Sequence, residues 1–178
     1  MTRPIGKAGH LQNAWRRWQS SGGFFMGKPQ LPEDYKEFLK LLNDNLVRYL
    51  VVGGFAVNYH GYSRATIDID IWVSRGEKNA RCITKTLREF GFDVEALKED
   101  LFLKPDTVIR MGLPPLRIEV LTSISGVDFD SCFARRISCE WDGIPTQVLS
   151  LGDLKANKKA ANRLKDLLDL EHLGGHEA

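Results

Sequence analysis

Tyr49-Leu-Val-Val-Gly53-Gly54-Phe-Ala-Val57 and, a short gap later, Thr66-Ile-Asp68-Ile-Asp70-Ile-Trp-Val-Ser74 decide how this chain reads. The first stretch is a strand, Tyr49 to Val52, that stops on two glycines and opens a brief helix over 55–61. Glycine is needed where a backbone must approach a phosphate closely, and the N–H groups of such a turn can cradle an anion. A Gly-Gly pair also serves a tight strand-to-helix turn. The second stretch alternates Ile67, Ile69 and Ile71 against Asp68, Asp70 and Trp72, which predicts a strand over 66–74 with two unlike faces. The isoleucines are expected to be buried, fixing the register. Both aspartates then share the other face, about 6.5–7 Å apart along the strand, close enough to serve one hard cation or two adjacent ones. An ordinary solvated face is the plain alternative for two acids alone. A glycine turn beside an acid pair strengthens the chemical reading of each.

Outward from this centre, apolar residues at 35, 38, 39, 41 and 42 with acids in the first turn predict an amphipathic helix from Pro32 to about Asn45. A second helix fits 77–90 and ends at Gly91. Strands at about 106–111 and 116–122 flank Gly112-Leu-Pro-Pro115, a hairpin whose prolines cannot join a ladder. Another hairpin, 136–141 with 145–149, turns at Asp142-Gly143. From Leu151 to Leu173 the pattern is helical, with Asn162 as a left-handed interruption. Hairpins mixed with separate helices predict an α+β fold, a small mixed sheet flanked by helices, in one domain over 31–178.

A third acid, Glu119, lies on a face with Arg117 opposite Ile118 and Val120, where it can complete a metal cage. In the C-terminal helix, Lys158, Asn162, Asp166 and Asp169 fall on one face opposite Leu164 and Leu168, also the pattern of any surface helix. Arg64 and Thr66, just before the acids, either contact substrate or pin the loop. Trp72, on the aspartate face, stacks a base or closes the cleft edge. None of the four histidines has ligand spacing, and His60 reads as structural.

At 178 residues the chain suits one ordinary domain, and 43% hydrophobic with 27% charged residues exclude wholesale disorder. Its apolar runs are too short and interrupted to span a bilayer. Three cysteines without C-x-x-C spacing argue against a disulfide framework and a zinc site, and point to a reducing cytoplasm. A net charge of +2 does not by itself argue for nucleic-acid binding. Residues 1–30 hold five basic and no acidic residues with four large aromatics. They read either as a basic N-terminal arm touching nucleic acid or as a leader before a start at Met26.

Val52-Gly53-Gly54, thirteen intervening residues and Asp68-Ile69-Asp70-Ile71 resemble the signature of the DNA polymerase β-like nucleotidyltransferase superfamily. Gly61-Tyr-Ser-Arg64-Ala-Thr66, the segment from Gly112 through Glu119 to Val127, and Lys158 through Arg163 and Asp166 to Asp169 extend the likeness. Together these are similar to small bacterial nucleotidyltransferases of the toxin-associated AbiEii type, over about 33–173. The resemblance implies a polymerase β-like fold with C-terminal helices. It also implies transfer of a nucleoside monophosphate from an NTP to a hydroxyl of an RNA, small-molecule or protein acceptor, with a cognate antitoxin as a further partner. Asp68, Asp70 and Glu119 would be catalytic and hold Mg2+ or Mn2+. Gly53, Gly54, Lys158, Arg64 and Thr66 would bind nucleotide. Gly54 stands where many relatives carry Ser, and Glu119 where many carry Asp. A protein of the same fold that binds nucleotide or a partner without turnover is the alternative.

Overall fold

The computed structural model describes residues 31–112 and 116–174, so the basic stretch 1–30 and the apex at 113–115 lie outside the described residues. In chain order the elements are α1 (Glu33–Asp44), β1 (Tyr49–Val52), α2 (Gly53–Tyr59), β2 (Ile69–Val73), α3 (Glu77–Glu89), a 3-10 turn (Glu99–Leu103), β3 (Val108–Met111) and β4 (Ile118–Leu121). They continue as α4 (Phe129–Ala134), β5 (Ile137–Trp141), β6 (Ile144–Val148), α5 (Leu151–Ala161) and α6 (Leu164–Gly174). The strands form one six-stranded mixed sheet in the order β3-β4-β2-β1-β6-β5. β2 runs antiparallel to β1 and parallel to β4, β1 runs parallel to β6, and β3–β4 and β5–β6 are antiparallel pairs. This is the expected α+β architecture.

β1 is buried on both faces, as a central strand covered from both sides must be, which is why its sequence is an unbroken apolar run. Its neighbours form one connected core with Phe38, Leu39, Ile71, Ile83, Leu87, Phe102 and Val120. The β5–β6 turn carries positive φ at both Asp142 (50°) and Gly143 (80°), the conformation a two-residue hairpin requires. The Asp142 carboxylate accepts from the Leu31 backbone N–H at 2.7 Å. Asn162 ends α5 in the left-handed region, as its position predicts. Among the described residues no helix is long and apolar enough to cross a membrane.

Three expectations change. α2 begins at Gly53 rather than at 55, so both glycines belong to its first turn. β2 begins at Ile69, and Ile67 is exposed rather than buried. The cause is register: β1 ends at Val52, opposite Asp70, so no residue of β1 pairs with residue 67. The third change is the facing of α6. Leu164, at 78% exposed, points outward together with Leu167 and Leu168, while Asp166, Asp169 and Leu173 are buried. The left-handed turn at Asn162 re-aims the chain, so one continuous helical wheel does not apply across it. The short α4, capped by Asp128 accepting from the Ser131 N–H, and the 3-10 turn have no counterpart in the periodicity.

Candidate active site

The acid row is built by strand pairing. In the parallel β2–β4 ladder Asp70 stands beside Glu119, and in the β3–β4 ladder Glu119 stands beside Arg110. Asp68 precedes the β2 ladder by one residue, where the Ile69 N–H donates to the Arg117 carbonyl at 3.0 Å. The Tyr35 hydroxyl reaches the carbonyls of Ile67 (2.5 Å) and Arg117 (3.0 Å), tying the entrances of β2 and β4 together from α1. Burial first, then the charge of Asp68, raises the Tyr35 pKa and keeps the hydroxyl a donor. No sequence pattern marks Tyr35 as part of the site, because its role depends on where α1 crosses the sheet.

Gly53, at φ +60°, lies directly against the row: a Cβ there would overlap the Asp70 carboxylate. A Cβ at Gly54 would overlap the Thr66 hydroxyl, with Arg64 Nη1 3.4 Å away. Both positions therefore require glycine for close approach, and the turn, Thr66 and Asp70 form one continuous surface.

Asp70 carries the electrostatic load of the row. Burial, followed by the charges of Glu119 and Asp68, pushes its carboxyl up to about 6, opposed by Lys158 and Lys165. Asp68 is gripped by Arg117 through two hydrogen bonds, Nε at 3.2 Å and Nη2 at 2.8 Å. Arg110 Nε holds Glu119 at 2.8 Å. Among the described residues no three acid, histidine or cysteine side chains already converge as a metal-holding group. By donor chemistry the row suits a hard divalent cation, being all carboxylate oxygen with an excess of negative charge around Asp70.

Lys158 is 4% exposed and bridges Asp166 (2.7 Å) and Asp169 (2.8 Å). Asp169 also receives Arg64, Nε at 2.7 Å and Nη2 at 3.0 Å, and Asp166 receives Arg163 at 2.6 Å. Burial acts to raise the Asp166 carboxyl, but the Lys158 and Arg163 hydrogen bonds outweigh it and hold the pKa below the ordinary range. Arg64 thus stands beside the glycine turn with its charge already engaged by a carboxylate 105 residues away, and Lys158, whose charge acts on Asp70, is engaged by Asp166 and Asp169. Lys165, exposed in the first turn of α6, is near enough for its charge to act on Asp70. Tyr35, Arg110, Arg117 and Lys165 are the residues around the candidate site that motif reading passed over. Arg117 alone had a signal, its place on the Glu119 face.

Trp72 is buried and packs edge-to-face on Phe129 at 5.0 Å, so it offers no free stacking face. The His60 Nε2 lies 2.8 Å from the Leu149 carbonyl, a structural contact. Cys82, Cys132 and Cys139 are free thiols.

No family model matches the sequence, and none of the curated proteins compared with it matches. Among solved structures, TM1012 from Thermotoga maritima, provisionally assigned as a nucleotidyltransferase, superposes with a TM-score of 0.55 at 18% identity, covering 86% of this chain and 96% of that one. The lincosamide antibiotic adenylyltransferase LnuA, with lincomycin bound, gives 0.54 at 13% identity over 82% of this chain and 98% of its own. At such identities the likeness is one of fold, and the mixed sheet with its flanking helices is the fold of these nucleotidyltransferase structures.

Proposed function

We propose that the chain transfers a nucleoside monophosphate from an NTP to an acceptor hydroxyl, with pyrophosphate leaving. The observation that carries this reading is the contact of the glycine turn with the acid row: Gly53 has no room for a Cβ because Asp70 occupies it, and Glu119 stands one strand away. A triphosphate lying on the Gly53–Gly54 backbone would therefore meet the carboxylates at once. Phosphoryl transfer is mostly positioning and electrostatics, and this juxtaposition supplies both.

Asp68, Asp70 and Glu119 would hold magnesium or manganese, which when bound neutralises the phosphates and acidifies the acceptor hydroxyl. The backbone N–H groups of Gly53 and Gly54 would receive phosphate oxygens, with Thr66 beside them. Lys165 would face the triphosphate from α6. Lys158 acts at one remove, by fixing the α5–α6 turn that presents Lys165. Glu119 is the candidate to receive the acceptor proton.

LnuA is an adenylyltransferase of lincosamide antibiotics, so hydroxylated small molecules come first in an acceptor panel, followed by RNA and protein. A toxin paired with an antitoxin is the finer reading, supported by the sequence resemblance alone. NTP-dependent pyrophosphate release across that panel is the measurement. Asp68→Ala and Asp70→Ala are each expected to reduce it at least about a thousandfold, and activity surviving both substitutions sinks the assignment. One observation favours a silent nucleotide-binding protein instead: the arginines already neutralise Asp68 and Glu119. Magnesium-dependent NTP binding without turnover on any acceptor is its signature.

A further inference from the structure

Arg117 and Arg110 are not core residues. Their side chains are 39% and 60% exposed, yet one grips Asp68 with two donors and the other holds Glu119 at 2.8 Å. Their placement follows from the sheet. Arg110 is the direct cross-strand neighbour of Glu119, and Arg117 sits two residues before Glu119 on the same face. Three carboxylates set against two guanidiniums leave the row with one net negative charge. A divalent cation arriving alone meets both positive charges and must strip each from its carboxylate. A cation arriving with a triphosphate also brings anionic oxygens, and guanidinium forks bind phosphate as readily as carboxylate.

We propose that Arg110 and Arg117 form an electrostatic latch, closing the carboxylate row to free divalent cations and moving onto the phosphates when cation and nucleotide enter together. The nucleotide half presupposes the transfer reading above, whereas the cation half stands on the two ion pairs. Coupling of this kind is reciprocal, so cation and nucleotide each tighten the binding of the other by the same factor. If the pairs were only surface ion pairs, their removal would leave cation binding as it was.

Calorimetric titration of the full chain separates the two halves, first with Mn2+ alone and then with a non-hydrolysable NTP analogue in the presence of Mn2+. Arg117→Ala and Arg110→Ala are each expected to tighten Mn2+ binding in the absence of nucleotide by about tenfold or more, and to weaken binding of the analogue. Arg117→Lys, which keeps the charge but loses the fork, should fall between. Circular dichroism establishes that each variant is folded, and the exposure of both side chains leaves the core untouched by the change. Mn2+ affinity that is unchanged or weaker in both alanine variants overturns the latch, and so does analogue affinity that neither variant alters. If the wild-type chain binds no analogue while both variants bind Mn2+ more tightly, the exclusion of cation holds and the nucleotidyl-transfer reading fails instead.

Discussion

Asp70 combines three pressures in one side chain. It is largely desolvated, it neighbours two like charges, and it fills the space that a side chain at position 53 would need. With its carboxyl at about 6, the folded chain binds that proton more tightly than the unfolded chain does. Below its ordinary value near 4 the group is protonated in both states and costs nothing. The cost appears as pH rises through that range and is complete above about 6. Asp70→Asn cannot ionise, so in metal-free buffer it should match the wild type at about pH 3 and exceed it by about 3 kcal/mol at pH 7. Urea midpoints at the two pH values measure this, and an advantage that does not grow with pH means Asp70 is not strained. The same variant should release no pyrophosphate, separating a stability gain from a functional loss.

The α5–α6 pair is the element in which sequence and structure diverge most. Lys158, Asp166 and Asp169 lie inside the protein, while Leu164, Leu167 and Leu168 face outward. Two buried carboxylates sharing one ammonium are secure only while that ammonium is present, and removing one partner of a buried ionic group is far more costly than the pair is stabilising. Lys158→Met should therefore lower stability by about 3–5 kcal/mol, seen as a lower thermal midpoint. Lys165→Ala should leave the midpoint within experimental scatter yet raise KM for NTP. The reverse pattern, a tolerated change at 158 and a destabilising one at 165, would return Lys158 to the nucleotide and sink the positioning role. The same ion network joins α6 to Arg64, and Arg64 approaches Gly54, so a loosened hairpin should also disturb the glycine turn.

At the scale of the molecule, the described strands form one sheet over one connected core, and the site lies where β1, β2 and β4 present their functional ends together. A ligand that binds only the folded state should stabilise all of it. NTP with magnesium at about a hundred times Kd adds about 2.7 kcal/mol, which for a chain of this size raises the thermal midpoint by about 5–10 °C. Removing the metal with a chelator should abolish the rise, and the chain carrying both Asp68→Ala and Asp70→Ala should show none. A full shift in that double variant would place nucleotide binding away from the acid row.

By itself the sequence determined most of the elements, and the glycine turn and acid alternation at the centre of the candidate site. Gly53-Gly54, the Asp68/Asp70 alternation, the Asp142-Gly143 turn and the left-handed Asn162 are all local facts, set by backbone conformation or by a period of two along neighbouring residues. Only the tertiary structure decided which charge meets which. Arg117 and Asp68 are 49 residues apart, and Arg64 and Asp169 are 105 apart, so no periodicity connects them. It also decided that Lys158 is buried and Lys165 open. A helical wheel fixes angles about one axis, and the turn at Asn162 gives α6 an axis of its own, leaving the choice of buried face to the partners that Arg64 and Lys158 offer.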